Sequence, residues 1–543
     1  MAIDAGKKVK VADIDLKGEK WTHKNLSEAS CHAAGYAFLR DDFINSNSLA
    51  ELFLKHTGRD FGLFISLVKQ LNGNFAIILQ HKDAIFASVD RIRTFPIFYG
   101  IRGDMFLIRD DAHQIKSKLE IENVNPHAVE EFLMSGYVSQ DETLYYGIKQ
   151  FRAGEAVSFQ LHNEVYLKNI RKERYYTYYN KKKSALSIDE LIETYDDILI
   201  RAFTRLIKSV KDRQIVVPLS GGVDSRLVTL MLKKLGYKNV VCISYGVPNN
   251  WETNISRKVA ERIGYNWIYI PYSRKKWHDA YRSKEWKDYF YSQDNLSSLP
   301  NIDEWIALRE LKHNNSITPD AVFVPGHTGD FICGGHLQYV FSGKEHVTKE
   351  DLLNSILKKH YSLWKEKLAT PEIRDYLIKR LSEFFENLPL DSDGDIADAY
   401  ECWEWQERQA KFIVNSVKTY DFWGYEWRLP LWDSEVMDFW SAVPHELKIK
   451  RGLYLSYLKK RDEYNLFGGD LERKKLHKSR FLGGKFRKLF EYFRDTKGIY
   501  GIYDYFTVTF LNTGKKTANS ILAKDYIKTL LKENRRNDKQ HLQ

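Results

Sequence analysis

The sequence predicts a two-part α/β protein: an N-terminal α+β sandwich, then a doubly wound parallel sheet that passes into a mainly helical C-terminal part. Three observations predict it. Short apolar runs bounded by Gly, Asn and Asp recur between residues 31 and 120, as strands joined by turns do. From residue 187 onward, short buried runs alternate with amphipathic stretches, the pattern of strand–helix–strand units in a parallel sheet. Between the two textures lies a charged, tyrosine-rich run at 171–183, which places the boundary between domains of 1–183 and 184–543.

The elements follow in order. In the first domain strands are expected at 34–40, 74–80, 84–89 and 105–108, with one helical spacing of apolar residues over 49–70. In the second, an amphipathic helix at 187–208 precedes a short buried strand at 214–219. A glycine-containing turn, a helix at 226–235, a strand at 240–244, a helix at 252–263 and a strand at 267–270 come next. Past 345 the chain reads as mainly helical. Ligands of such sheets bind beyond the carboxyl ends of the strands, so the loop after the first strand is the place to look for chemistry.

The bulk composition sets limits on function. A chain of 543 residues with 43% hydrophobic and 29% charged residues builds several cores and is not of a disordered type. No run reaches the 18 to 20 apolar residues, roughly, that a membrane helix needs, and the charged start has no apolar stretch of a signal peptide. The expected location is the cytoplasm. Cys31, Cys242, Cys333 and Cys402 are too far apart for a CxxC pair or a zinc cluster and read as reduced thiols. The net charge of +11, densest in 473–480 and after 524, suits an anionic partner or a solvated basic surface.

The segment Ser220-Gly-Gly-Val-Asp-Ser225 sits between the first strand of the second domain and its helix. Two glycines allow close backbone approach, and a helix amino terminus offers free N–H groups to phosphate. It is not a Walker loop, since the chain has no GxxxxGK[ST]. Asp224 is informative because a carboxylate among phosphates would repel them, which suggests a bridging Mg²⁺.

This loop resembles the signature of ATP pyrophosphatase (PP-loop) enzymes, which split ATP between its α and β phosphates. Val324-Pro-Gly-His-Thr-Gly-Asp-Phe-Ile-Cys-Gly-Gly-His336, Glu426-Trp-Arg-Leu-Pro-Leu-Trp-Asp433 and Arg473-Lys-Lys475 follow in the order seen in asparagine synthetases. The second domain therefore resembles the synthetase domain of that family, an adenine nucleotide α-hydrolase-like fold. The resemblance implies ATP and Mg²⁺, with Asp224 and Asp330 holding the metal. It implies nucleotide contacts from Leu219, Ser220, Gly221, Gly222, Val223, Asp224, Ser225, Ser244 and Gly326. It also implies a charge-stabilising lysine at Lys475, with Lys478 as the alternative.

The first domain resembles the later part of a class II glutaminase, an Ntn-hydrolase-like sandwich, through Gly73-Asn-Phe-Ala, Asp90–Tyr99 and Ile108-Arg-Asp-Asp. Those enzymes use an N-terminal cysteine whose α-amine acts as base. Position 2 is alanine, and the stretch that would carry the nucleophile is shortened to about thirty residues. Cys31 reads as a small buried hydrophobe, and the domain as a degenerate glutaminase that supports the synthetase half.

His327 departs from the Glu of asparagine synthetases and the Tyr of β-lactam synthetases. A histidine there suits either a general base for the attacking amine or a loop hydrogen bond. The form G-H-x-G-D also resembles lasso-peptide cyclases and synthetase-like proteins of surface-polysaccharide clusters. Glu407, on an expected helix at 398–416, is a second candidate acceptor. The expected function is an ATP-dependent amide-forming ligase that adenylates a small-molecule, sugar or peptide carboxylate and passes it to ammonia or an amine. The rivals are a catalytically reduced scaffold and a PP-loop enzyme acting on tRNA. The latter lacks the cysteine pair or RNA module it would need, so nucleic acid is not an expected partner. A homodimer stays open.

Overall fold

The computed structural model describes residues 11–16, 20–162, 166–180, 182–248, 250–468, 471 and 518–540. The first part is a layered α+β sandwich. Its larger sheet runs Tyr166–Arg174, Glu155–His162, Ala84–Val89, Leu71–Gln80, Ala29–Leu39 and Trp21–Leu26, with Asp42–Asn45 paired to Ala29–Leu39. The smaller sheet runs Val11–Ile14, Met105–Arg109, Phe98–Arg102 and Ile148–Gln150. Because side chains alternate across a strand, Leu71–Gln80 serves two cores. Phe75, Ile77 and Leu79 face the helices Ser46–His56 and Phe61–Lys69, while Ala76 and Ile78 pack between the sheets. A strand covered on both faces reads as a continuous apolar run, which is how it appears in the sequence.

The single helix expected over 49–70 is two helices. Gly58 takes a left-handed φ of +50°, and the Asp60 side chain accepts hydrogen bonds from the N–H of Gly62 (2.7 Å) and Leu63 (3.1 Å) to start the second helix. Helical periodicity survives such a break, so the spacing alone does not reveal it. The charged run beginning at 171 is likewise not all linker. Its first residues complete the strand Tyr166–Arg174, paired with Glu155–His162 at the sheet edge, where charged side chains can face solvent.

The second part is built on a five-stranded parallel sheet in the order Asn266–Pro271, Val240–Gly246, Ile215–Pro218, Val322–Phe323 and Glu426–Trp427. The helix Ile188–Val210 that leads into it starts with a reciprocal capping box between Ser187 and Glu190. Strand order reverses beside Ile215–Pro218: the next strand in sequence lies on one side, and Val322–Phe323 lies on the other. The helix expected at 398–416 is in fact three segments: an α-helix at Asp393–Glu404, a π-helical turn at Trp405–Ile413 and a short 3₁₀ turn at Val414–Val417. Among the described residues no helix is long and apolar enough to cross a membrane.

The two parts share a core. Ile92, Phe98, Leu107 and Phe132 belong to the same buried cluster as Val216, Leu230, Trp305 and Trp440. Polar contacts pin the seam. Arg205 donates to both oxygens of Asp433 (2.9 Å each) and to Glu435 (2.5 Å), and Asn72 donates to Asp433 (3.0 Å). Arg205 and Asp433 are both buried. Removing one partner strands the other charge, so Arg205→Ala is expected to cost about 3 kcal/mol, read as a lowered melting temperature. Arg428 is also structural, its guanidinium held by Ser209 Oγ (2.9 Å), the Trp427 carbonyl (2.8 Å) and Glu426 (2.9 Å).

Candidate active site

The reversal in strand order brings two loops together at the carboxyl ends of the sheet. One is Leu219–Ser225, leaving Ile215–Pro218; the other is 324–330, leaving Val322–Phe323. Gly222 is the N-cap of the helix Val223–Lys234 and no side chain caps it, so the amino end of that helix keeps N–H groups for a ligand. The loop holds its own shape. Ser220 N–H donates to Ser225 Oγ (3.1 Å), and Gly222 N–H donates to Ser220 Oγ (3.0 Å). The buried Arg226 guanidinium donates to the carbonyls of Gly221, Leu466 (2.9 Å) and Leu471 (3.3 Å), tying the loop to the chain at 466–471.

Gly326 and Gly329 explain how closely the loops meet. A Cβ on Gly326 would lie 2.7 Å from Ser225 N, and one on Gly329 would lie 2.5 Å from Asp224 Oδ1. Gly326→Ala must therefore push the second loop off the first. Any reaction carried out between the loops is expected to slow about a hundredfold with the far-UV circular dichroism unchanged, since misplacing reacting groups by an ångström costs that much.

Asp224 lies where the loops touch. Its Oδ1 accepts a hydrogen bond from Tyr454 Oη (2.8 Å). Burial and the nearby charge of Asp330 push its carboxyl up to about 7, against the pull of Tyr454 and Arg451. Asp330 keeps half of its side chain open to solvent. Desolvation would raise its carboxyl, but bonds from His336 Nε2 (3.2 Å) and Thr328 Oγ1 (3.0 Å) outweigh it and hold the group at about 2. Two carboxylates near one another at the amino end of a helix form a site that can take a cation. Among the described residues no three His, Cys, Asp or Glu side chains form a metal cage. The donor set nevertheless fits Mg²⁺, which is commonly held by one or two carboxylates with phosphate and water oxygens completing the shell.

The predicted residues divide on inspection. Ser220, Gly221, Gly222, Val223, Asp224, Ser225, Gly326 and Asp330 fall on the two facing loops. Leu219 and Ser244 lie beneath them and are buried. Ser244 Oγ donates to the Leu219 carbonyl (2.6 Å) and pairs with Ser256 Oγ (2.6 Å), so its hydroxyl braces the loop rather than meeting a nucleotide. Glu407 does not serve as a free acceptor. It is fully buried, paired with Lys411 Nζ (2.7 Å), and accepts from Gln140 N–H (2.9 Å), which hold its carboxyl below the usual range despite burial. His327 lies on the second loop, 3.4 Å from Ser416 Oγ. Burial holds its imidazole down at about 4, so the ring is neutral with a lone pair to offer. Lys475 and Lys478 lie outside the described residues. Cys31 is buried within Ala29–Leu39, and burial pushes its thiol far above the usual range.

Sequence reasoning missed the group that buttresses Asp330. His336 bridges Asp330 and Glu404, the latter fully buried one turn before Glu407. Burial opposes both charges, yet the pair wins: His336 is raised to about 9, and Glu404 is held well below the carboxylate range by His336, Lys359 and His360. Lys359 Nζ is 3.5 Å from Glu404, and burial lowers it to about 8. The final histidine of Gly-Gly-His336 was the available signal.

A sequence model of the family described as Asparagine synthase matches residues 194–542, and one described as Glutamine amidotransferase domain matches residues 7–176. No curated protein matches the chain. Among solved structures it is similar to a glutamine phosphoribosylpyrophosphate amidotransferase from B. subtilis complexed with ADP and GMP. That likeness has 12% identity over 56% of this chain and 63% of that chain, with a TM-score of 0.20. This chain thus spans less than two thirds of that protein. An NH3-dependent NAD synthetase from Campylobacter jejuni subsp. jejuni NCTC 11168, in complex with the nitrate ion, is 16% identical over 38% of this chain and 98% of that one, with a TM-score of 0.18. Likenesses of this size carry no argument about activity. The asparagine synthase match, by contrast, spans well over half of the sequence, and the chain belongs to that family.

Proposed function

We propose that this protein adenylates a substrate carboxylate with ATP, releases pyrophosphate, and transfers the acyl group from AMP to ammonia or an amine. The observation that carries the reading is the meeting of Asp224 and Asp330 across two loops that glycine alone lets approach. Bound Mg²⁺, held by those two carboxylates, would neutralise the phosphate charge. The N–H groups at Val223–Ser225 retain the pyrophosphate end of ATP, and Gly326 lets the second loop close onto the first. His336, itself fixed by Glu404, aims Asp330. The neutral ring of His327 accepts the proton that the attacking amine must lose. Either Lys475 or Lys478 stabilises the charge that builds on the acyl oxygen.

The nitrogen source in this reading is free ammonia or an amine, because Cys31, the one cysteine in the sequence of the first part, is sealed in a strand. A sequence rich in Lys, Asn, Tyr and Ile fits an AT-rich genome and a role in bacterial surface-polysaccharide or peptide natural-product synthesis.

The deciding experiment is Mg²⁺-dependent ATP–pyrophosphate exchange across aspartate, uronic-acid sugar nucleotides, aminoacyl sugars and short peptides. Exchange with one class names the substrate. No binding of Mg-ATP would defeat the ligase reading in favour of a scaffold. Lys475→Ala and Lys478→Ala, run side by side, are expected to differ by about a hundredfold in exchange, the catalytic lysine being the slower variant.

A further inference from the structure

A cavity of about 670 Å³ lies among the helix Ala112–Lys118 of the first part, the helix Lys284–Asp294 of the second and the C-terminal helix Ala518–Gln540. None of the residues placed around the phosphate loop lines it. Its volume is that of a small-molecule site. Its walls carry the rings Tyr145, Trp286, Phe290, Tyr291 and Tyr526, and Lys116, Lys287, Glu120 and Glu122 line it as well.

Two carboxylates stand among those rings. Asp294 is 1% exposed, and its Oδ1 accepts from Leu296 N–H (2.7 Å), His113 Nε2 (2.8 Å) and Tyr526 Oη (2.9 Å). Its Oδ2 is buried without any hydrogen-bond partner. A buried carboxylate oxygen left unpaired costs free energy that a donor would recover. Asp525 lies beside Tyr526 on the lid helix, and burial raises its carboxyl against the pull of Lys528 and Lys524. The ring faces already attract a cation, since Lys116 Nζ sits 5.0 Å from the centre of the Tyr145 ring.

We propose that this cavity is a second ligand site, for a protonated organic amine with an aromatic or aliphatic body. Aromatic faces next to carboxylates form the environment that organic ammonium ions prefer, through the ring quadrupole and direct charge pairing. A neutral guest would offer Asp525 no charge, and an anionic one would meet it at close range. The site draws on both halves of the chain and on the terminal helix, and it does not depend on the ligase reading.

The test uses the full-length protein at neutral pH, with phenethylamine, phenethyl alcohol and hydrocinnamate as probes of one shape and three charges, followed by calorimetry or ligand-observed NMR. Phenethylamine is expected to bind about tenfold more tightly than the alcohol, with no hydrocinnamate binding. Asp525→Asn should remove most of that preference. Thr529→Trp, which places a ring into the cavity from the lid helix, should abolish binding of every probe. Equal binding of amine and alcohol, a preference that Asp525→Asn leaves unchanged, or no binding of phenethylamine would each overturn the proposal.

Discussion

Asp224→Ala is expected to reduce carboxylate-dependent ATP–pyrophosphate exchange to background while making the ligand-free protein more stable above neutral pH. The first half follows from the position of Asp224 between the two loops. The second follows from its titration. A carboxyl at about 7 in the folded state, against about 4 when unfolded, binds more protons folded than unfolded over that interval. The native state therefore loses stability as pH rises from about 4 to about 7, and the full cost, on the order of 4 kcal/mol, applies above pH 7. The variant should melt higher than the parent at pH 8, and the gap should shrink to about a third at pH 5, where most of the parent carboxyl is already protonated. Loss of exchange with no pH-dependent gain would mean that Asp224 is not the strained carboxylate described here. Retained exchange would remove it from the reaction altogether.

His327→Ala is expected to separate the two half-reactions. Exchange needs only the first, and should stay within a few-fold of the parent. Amide formation should fall by about two to four orders of magnitude, the usual worth of a positioned base. Because burial keeps the ring near a pKa of 4, the parent rate should not decline on the acid side through loss of this base until well below pH 6. Equal loss in both half-reactions would mean that the ring only shapes the loop through Ser416, and amide formation untouched by the change would leave the proton to another acceptor.

Much of the site was legible because its chemistry is local. Ser220–Ser225 and Gly326–Asp330 are contiguous segments, and the strand–turn–helix rhythm around them follows from periodicity. What was not legible depends on long-range geometry. The expectation of Glu407 as an acceptor assumed one regular helix through 398–416, but the π-helical turn begins at Trp405, and Glu407 pairs with Lys411 while Glu404 pairs with His336. Ser244 carries a hydroxyl at the end of a strand, which is where ligand contacts gather, and only the structure shows that Leu219 and Ser256 use it. The break at Gly58 left the apolar spacing on either side in phase.

The shared core has a consequence for how the molecule melts and for what its lineage could discard. When Ile92, Phe98 and Phe132 belong to one buried cluster with Val216 and Trp440, neither half keeps all of its buried surface once the two are parted. Heating should give one cooperative transition rather than two, with calorimetric and van't Hoff enthalpies in agreement. A gene cut near 183 should yield two fragments that aggregate separately and recover solubility only when expressed together. The amidotransferase-like domain would then persist for a thermodynamic reason: deleting it would expose a wide apolar face on the other half.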